Sequence, residues 1–194
     1  LTLQSDVAIN VVGAAGSLTL TNTLGGPGML TVGALPGDAA NSGKLILSGD
    51  NAYTGGTTLT LGSLVMSGAM ADLGAGDVTV EGTAVSFTIQ SGVLNAIADS
   101  ALLSLNGGGT PGVADAGVAM LGENVNETVG DLLLGGVPQV PGTYGSSQSN
   151  ATFRNDEYFN GPGILTVVPE PSTVLALCGG LSGLLGLQRF RRKM

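Results

Sequence analysis

Short runs of alternating apolar residues, each opened by a glycine, recur along the chain as far as Val168. The unit is Gly, any residue, apolar, any residue, apolar. It stands at Gly16 (GSLTL), Gly28 (GMLTV), Gly43 (GKLIL), Gly62 (GSLVM), Gly76 (GDVTV), Gly130 (GDLLL) and Gly163 (GILTV). A period of two sends successive side chains to opposite faces of a strand. Leu45 and Leu47, or Val78 and Val80, are therefore expected to face an interior while Lys44 or Thr79 faces out. The leading glycine suits the turn between strands, where positive φ is often needed. Before residue 169 only the stretch 93–105 leaves room for a helical reading.

Strands spaced roughly 12 to 19 residues apart fit either a sandwich or barrel, or the rungs of a solenoid. Composition separates the two. The 194 residues include 34 glycines and no tryptophan, and aromatic residues make up only 4%. A solenoid has a narrow interior that small and aliphatic side chains fill, whereas a sandwich of this length more often buries several large rings. No Gly-X-Y period is present, so collagen is excluded. The expected fold is all-β: a parallel β-helix (β-solenoid) body over residues 1–168, followed by a single C-terminal transmembrane helix within 169–194. Residues 135–162, rich in Pro, Ser and Asn, read as a long irregular connection before a last strand. Together residues 135–168 are expected to cap the final rung and hide its open edge.

Residues 43–68 carry the most specific local pattern, GKLILSGDNAYTGGTTLTLGSLVMSG. This run resembles the autotransporter-associated β-strand repeat through Gly43, Leu45, Leu47, Gly49, Asn51, Tyr53, Gly55, Gly56, Thr57, Leu59, Gly62 and Leu64. The resemblance implies a right-handed parallel β-helix of the kind found in secreted passenger domains. It further implies that Asn51 points inward and hydrogen-bonds its backbone, and that Tyr53 closes a corner. Turn chemistry alone also accounts for Asp50-Asn51 and Gly55-Gly56, with no ligand.

Charge changes the picture at the end of the chain. The net charge is −8, yet four of the six basic residues, Arg189, Arg191, Arg192 and Lys193, fall in the last six positions. Before residue 169 only Lys44 and Arg154 are basic, against 13 acidic residues. So acidic a body lacks the clustered cations that nucleic-acid binding requires. Between Val168 and the basic cluster, Pro169 and Pro171 fix an extended segment, and residues 172–188 carry no charge. As a helix this run would span about 25 Å, a marginal crossing of an inner membrane. The basic end would then lie in the cytoplasm and the body outside.

This tail resembles the PEP-CTERM sorting signal: the triplet Pro169, Glu170 and Pro171, an apolar helix, and the basic stop at Arg189, Arg191, Arg192 and Lys193. The resemblance implies recognition by an exosortase-type sorting enzyme, removal of the tail, and delivery to the cell envelope, surface or extracellular matrix, where exopolysaccharide is a further expected partner. Cys178 lies within the apolar run as an incidental residue, and as the single cysteine it excludes an intrachain disulfide.

The chemistry of catalysis is sparse. The chain has no histidine, so neither a Ser-His-Asp triad nor a histidine metal ligand can form. The glycine-rich run at 107–112 lacks the lysine of a phosphate loop. Asp156 and Glu157, adjacent in a strand, would point to opposite faces, which does not suit glycoside hydrolysis. No catalytic, cofactor or metal site is therefore expected. The leading expectation is a non-enzymatic secreted surface or matrix protein with structural or adhesive character. Because the sequence opens on Leu1 without an apolar leader, it is expected to be the C-terminal part of a longer chain. The alternative is the end of a secreted β-helix polysaccharide-processing enzyme whose catalytic residues lie upstream.

Overall fold

The computed structural model describes residues 1–13, 15–33, 43–82, 85–108, 110, 112–113 and 115–168. All regular structure among them is β. The chain visits three directions in rotation. A first pass gives β1 (Val7–Ile9), β2 (Ser17–Leu20) and β3 (Gly25–Gly26). A second gives β4 (Leu30–Val32), β5 (Lys44–Leu47) and β6 (Ala52–Tyr53), and each pairs in parallel with its counterpart one pass earlier. The third and fourth passes keep two of the three strands, as β7 (Thr57–Leu59) with β8 (Gly62–Met66), then β9 (Val78–Val80) with β10 (Val85–Ile89). After β11 (Leu102–Leu105) and β12 (Val118–Leu121), a strand returns in the third direction as β13 (Asn126–Val129).

These passes build a first sheet of order β1-β4-β7-β9-β11 and a second of order β2-β5-β8-β10-β12, all parallel. Register places like positions above one another. In the first sheet Ile9, Val32, Leu59, Val80 and Leu105 form one inward column, and Val7, Leu30, Thr57, Val78 and Leu103 form another. In the second sheet Leu45, Leu64, Phe87 and Ala119 stack beside Leu47, Met66, Ile89 and Leu121. From Leu30 onward the inward members are buried and belong to one core cluster, apart from Thr57, which is buried but polar. The small Ala119 sits in register between Phe87 and Phe159, so volume alternates along the column instead of clashing. Outward positions in the first sheet read Thr31, Thr58, Thr79 and Ser104, residues that suit the solvated face of a strand.

All seven Gly-led runs coincide with strands, as their period of two requires. One stretch left open is settled and one expectation is corrected. Residues 93–105 hold no helix: turns bring the chain to Ala101, and strand β11 follows. Its leucines alternate between core and surface, because the neighbouring first-sheet column supplies a strand edge. Residues 135–162 are not an irregular connection, since four short strands occur within them. After β14 (Asp131–Leu134) come β15 (Val137–Pro138), β16 (Gly142–Gly145), β17 (Phe153–Arg154) and β18 (Phe159–Asn160), and β19 (Ile164–Val167) ends the described fold. β14 and β18 extend the first and second sheets, while β19 joins β13 in a four-stranded sheet of order β13-β19-β16-β17. Among the described residues antiparallel pairing occurs only here, in β15 against β14 and β16 against β19. β15 thereby lies along the outer edge of the first sheet, where a parallel stack would otherwise expose unpaired backbone.

Among the described residues no helix is long and apolar enough to cross a membrane. The helix expected in residues 169–194 lies outside the described residues.

Candidate functional site

The most elaborate chemistry lies where the chain turns in the third direction. A strand there would satisfy its backbone through the next strand. In the third and fourth passes no such strand forms, and side chains take over. Asn51 is buried, and its Oδ1 accepts the Leu24 amide from the previous pass at 2.8 Å. Its Nδ2 donates to the Asp72 carbonyl of the following pass at 2.6 Å. The Asn51 amide in turn donates to Asp72 Oδ1 at 2.6 Å, and the Gly74 amide donates to the same oxygen at 3.2 Å. One polar chain thus joins three successive passes. Asn51 does point inward, but its partners belong to the passes on either side and not to its own turn.

Glu127 repeats the device further along. It is buried on β13, and its Oε1 accepts the amides of Ala96 at 3.0 Å and Ile97 at 2.7 Å. Burial pushes its carboxyl up to about 7, the Asp99 charge adds to the rise, and the two amides partly offset it. Burial raises the Asp72 carboxyl as well, against the pull of the Asn51 and Gly74 amides. Sequence reasoning missed Glu127 as a structural acceptor. The only sequence signal was an acidic residue at an inward-phased position of the run Asn126–Val129, whose outer residues are Asn126 and Thr128.

Tyr53 is fully buried, and its hydroxyl shares a 2.5 Å hydrogen bond with Thr57 Oγ1. Thr57 is the hydroxyl in the otherwise aliphatic column of the first sheet, so each of the two groups answers the other in a dry interior. Burial raises the Tyr53 phenol above its ordinary range. Between them, Gly55 and Gly56 carry the chain round the corner. A Cβ on Gly55 would fall on the Met29 amide and Gly28 carbonyl of the previous pass, and Gly56 has φ of +85°. A double-mutant cycle tests the pair. Tyr53→Phe and Thr57→Val are each expected to cost about 1–3 kcal/mol, because each leaves a buried hydroxyl unpaired. The double variant should lose less than the sum, as both hydroxyls leave together. Additive losses in urea unfolding would show that the bond contributes nothing.

This arrangement organises backbone. Among the described residues no three of His, Cys, Asp and Glu lie where they could hold a metal ion. The carboxylate of Asp156 is engaged by the Ser147 amide at 2.6 Å, and the two body cations stand on different strands, Lys44 on β5 and Arg154 on β17. An open cleft of about 480 Å³ lies past the ends of β10, β12 and β18, where Thr88, Gln90, Met120 and Asn160 line it without a charged side chain. The expected sorting residues Pro169, Glu170 and Pro171, and the basic stop at Arg189, Arg191, Arg192 and Lys193, lie outside the described residues.

Asn51, the centre of the third-direction network, and the strands on either side of it fall within one matched segment, while its partners Leu24 and Asp72 lie outside it. Residues 40–66 match the passenger-associated-transport-repeat. The repeat takes in β5, β6, β7 and β8, so it begins and ends in the second sheet. Lys44 and Ser63 are in register across that return. The repeat is therefore slightly more than one full rotation of the chain, with Asn51 and Tyr53 at its corner. The match fits an autotransporter-associated β-strand repeat. No curated protein and no solved structure matches the chain.

Proposed function

We propose that this chain is a non-enzymatic, exported cell-surface or extracellular-matrix protein. In this reading its parallel sheets are the faces of a β-solenoid, and 169–194 is a PEP-CTERM-type sorting and anchoring segment. The observation that carries the reading is the repeat at residues 40–66, which coincides with one rotation of the strand order. A unit that buries its own columns only against its neighbours is what a solenoid adds to itself. The antiparallel-paired strands β15 and β16, with β17 beside β16, then act as the cap of the rod. Carriage out of the cell is supported by the passenger association of the repeat. Handing over to an exosortase-type enzyme is supported by the order of Pro169, Glu170 and Pro171, the uncharged run and the four terminal cations.

Mass spectrometry of the mature C-terminus tests this reading, in cells with and without the sorting enzyme. A chain ending near residues 169–172 only when the enzyme is present is the expected result. An intact Met194 in both strains would leave a permanent anchor and remove the sorting step.

A further inference from the structure

Successive passes meet at the open cleft of about 480 Å³ past the ends of β10, β12 and β18. Its floor follows from register. Thr88 pairs with Met120 and Met120 with Asn160, and the core residues Phe87, Ala119 and Phe159 immediately precede them. Alternation therefore turns Thr88, Met120 and Asn160 outward as one row. Val65, the register partner of Thr88 one pass earlier, is only 5% exposed, so the row opens at β10 and not before. Gln90 and Ser91 follow β10 along the cleft and Pro162 follows β18, all three exposed.

No carboxylate or cation lines this cleft, although the chain carries a net charge of −8. Glu123 follows the lining residue Gly122 but stays outside. Among the described residues the side chains of Thr88, Gln90 and Ser91 make no hydrogen bond to protein. Asn160 accepts one at Oδ1, from Gln148 Nε2 at 3.3 Å, and its Nδ2 donates to no described residue. Hydroxyls and amides with donors and acceptors to spare thus surround the thioether of Met120, which is 37% exposed.

Such a lining matches a neutral saccharide. A sugar ring carries hydroxyls on its rim, each able to donate and accept, and presents a face of C–H groups. The amides of Gln90 and Asn160 suit the hydroxyls, and Met120 and Pro162 suit the C–H face. Strand spacing of about 4.8 Å separates Thr88, Met120 and Asn160 by close to the advance of one ring along an extended glycan. The acidic body disfavours a polyanion. A peptide fits less well, because extended peptides add to unpaired strand edges, and β10 and β12 are paired on both sides. We propose that this cleft binds a neutral polysaccharide, with Gln90 and Asn160 holding its hydroxyls and Met120 beneath a ring. The proposal deepens the reading of the chain as a surface or matrix protein and rests on it only for where the glycan is met.

Affinity electrophoresis of the full chain, in a zwitterionic detergent free of sugar, tests the cleft. The gels contain hydroxyethylcellulose, glucomannan or dextran, with alginate as the anionic comparison. The expected result is retardation by at least one neutral polymer and none by alginate. Gln90→Ala combined with Asn160→Ala should weaken the retention about tenfold, as the loss of one or two hydrogen bonds implies. The urea midpoint of this variant should match the wild type, since neither side chain is buried. Retardation by none of the neutral polymers overturns the proposal, as does retention that the double variant leaves unchanged. Equal retardation by alginate overturns the neutral class. A gel bearing a tethered, uncharged Ser- and Asn-rich peptide that alone retards the chain would reassign the cleft to peptide. Failure of binding leaves the C-terminal mass measurement unaffected, and an intact Met194 leaves the cleft unaffected.

Discussion

Glu127→Ala is expected to lower folding stability by about 2–5 kcal/mol, because the Ala96 and Ile97 amides lose their acceptor in a buried corner. The wild-type residue also makes stability depend on pH, with a definite sign. Its carboxyl titrates at an ordinary 4.5 in the unfolded chain and near 7 in the fold. Between those values the folded chain keeps a proton that the unfolded chain has released. The contribution is therefore complete below about pH 4.5 and is lost as pH rises through about 7, by up to about 3 kcal/mol. Urea midpoints should fall between pH 5.5 and pH 8. Glu127→Gln keeps an Oε1 for both amides and removes the titration, so it should flatten this dependence. An equal fall in the glutamine variant would assign the pH effect to other groups, Asp72 first among them.

A comparable loss is expected at Asn51. Asn51→Ala strands the buried Leu24 amide and the Asp72 carbonyl at once, at a cost of about 2–4 kcal/mol. Asn51→Asp is the more informative change. It preserves the acceptor for Leu24 but replaces the donor with an oxygen facing the Asp72 carbonyl, and it adds a second carboxylate beside Asp72. Its defect should therefore be larger at pH 8 than at pH 5, where protonation relieves the repulsion and restores a donor. A pH-independent loss equal to that of the alanine variant would show that repulsion between the two carboxylates does not contribute.

These two residues mark the boundary of what the sequence makes legible. Alternation alone locates β5, β8 and β14, because a strand's buried face depends on neighbours two positions away in the chain. Asn51 is legible through the repeat motif. Yet which amides it serves depends on Leu24 and Asp72, and parallel register brings those within reach from 27 and 21 residues away. Glu127 has no motif at all, and its partners lie about 30 residues upstream. Residues 135–162 read as irregular because strands of two residues cannot display an alternation. Val137–Pro138 and Phe153–Arg154 are strands only by virtue of the edges they cover. The candidate sorting residues are the reverse case, read from composition and order alone and lying outside the described residues.

Register, and not length, is what each rotation conserves. The path from Ala119 to Phe159 is about twice as long as the path from Lys44 to Ser63, yet both pairs sit squarely in the second sheet. Lengthening a connection costs little, about 0.6 kcal/mol for each doubling of a flexible loop. A protein built this way is open to insertion as well as substitution. Epitopes, enzymes or whole domains spliced into its corners would ride on an undisturbed stack.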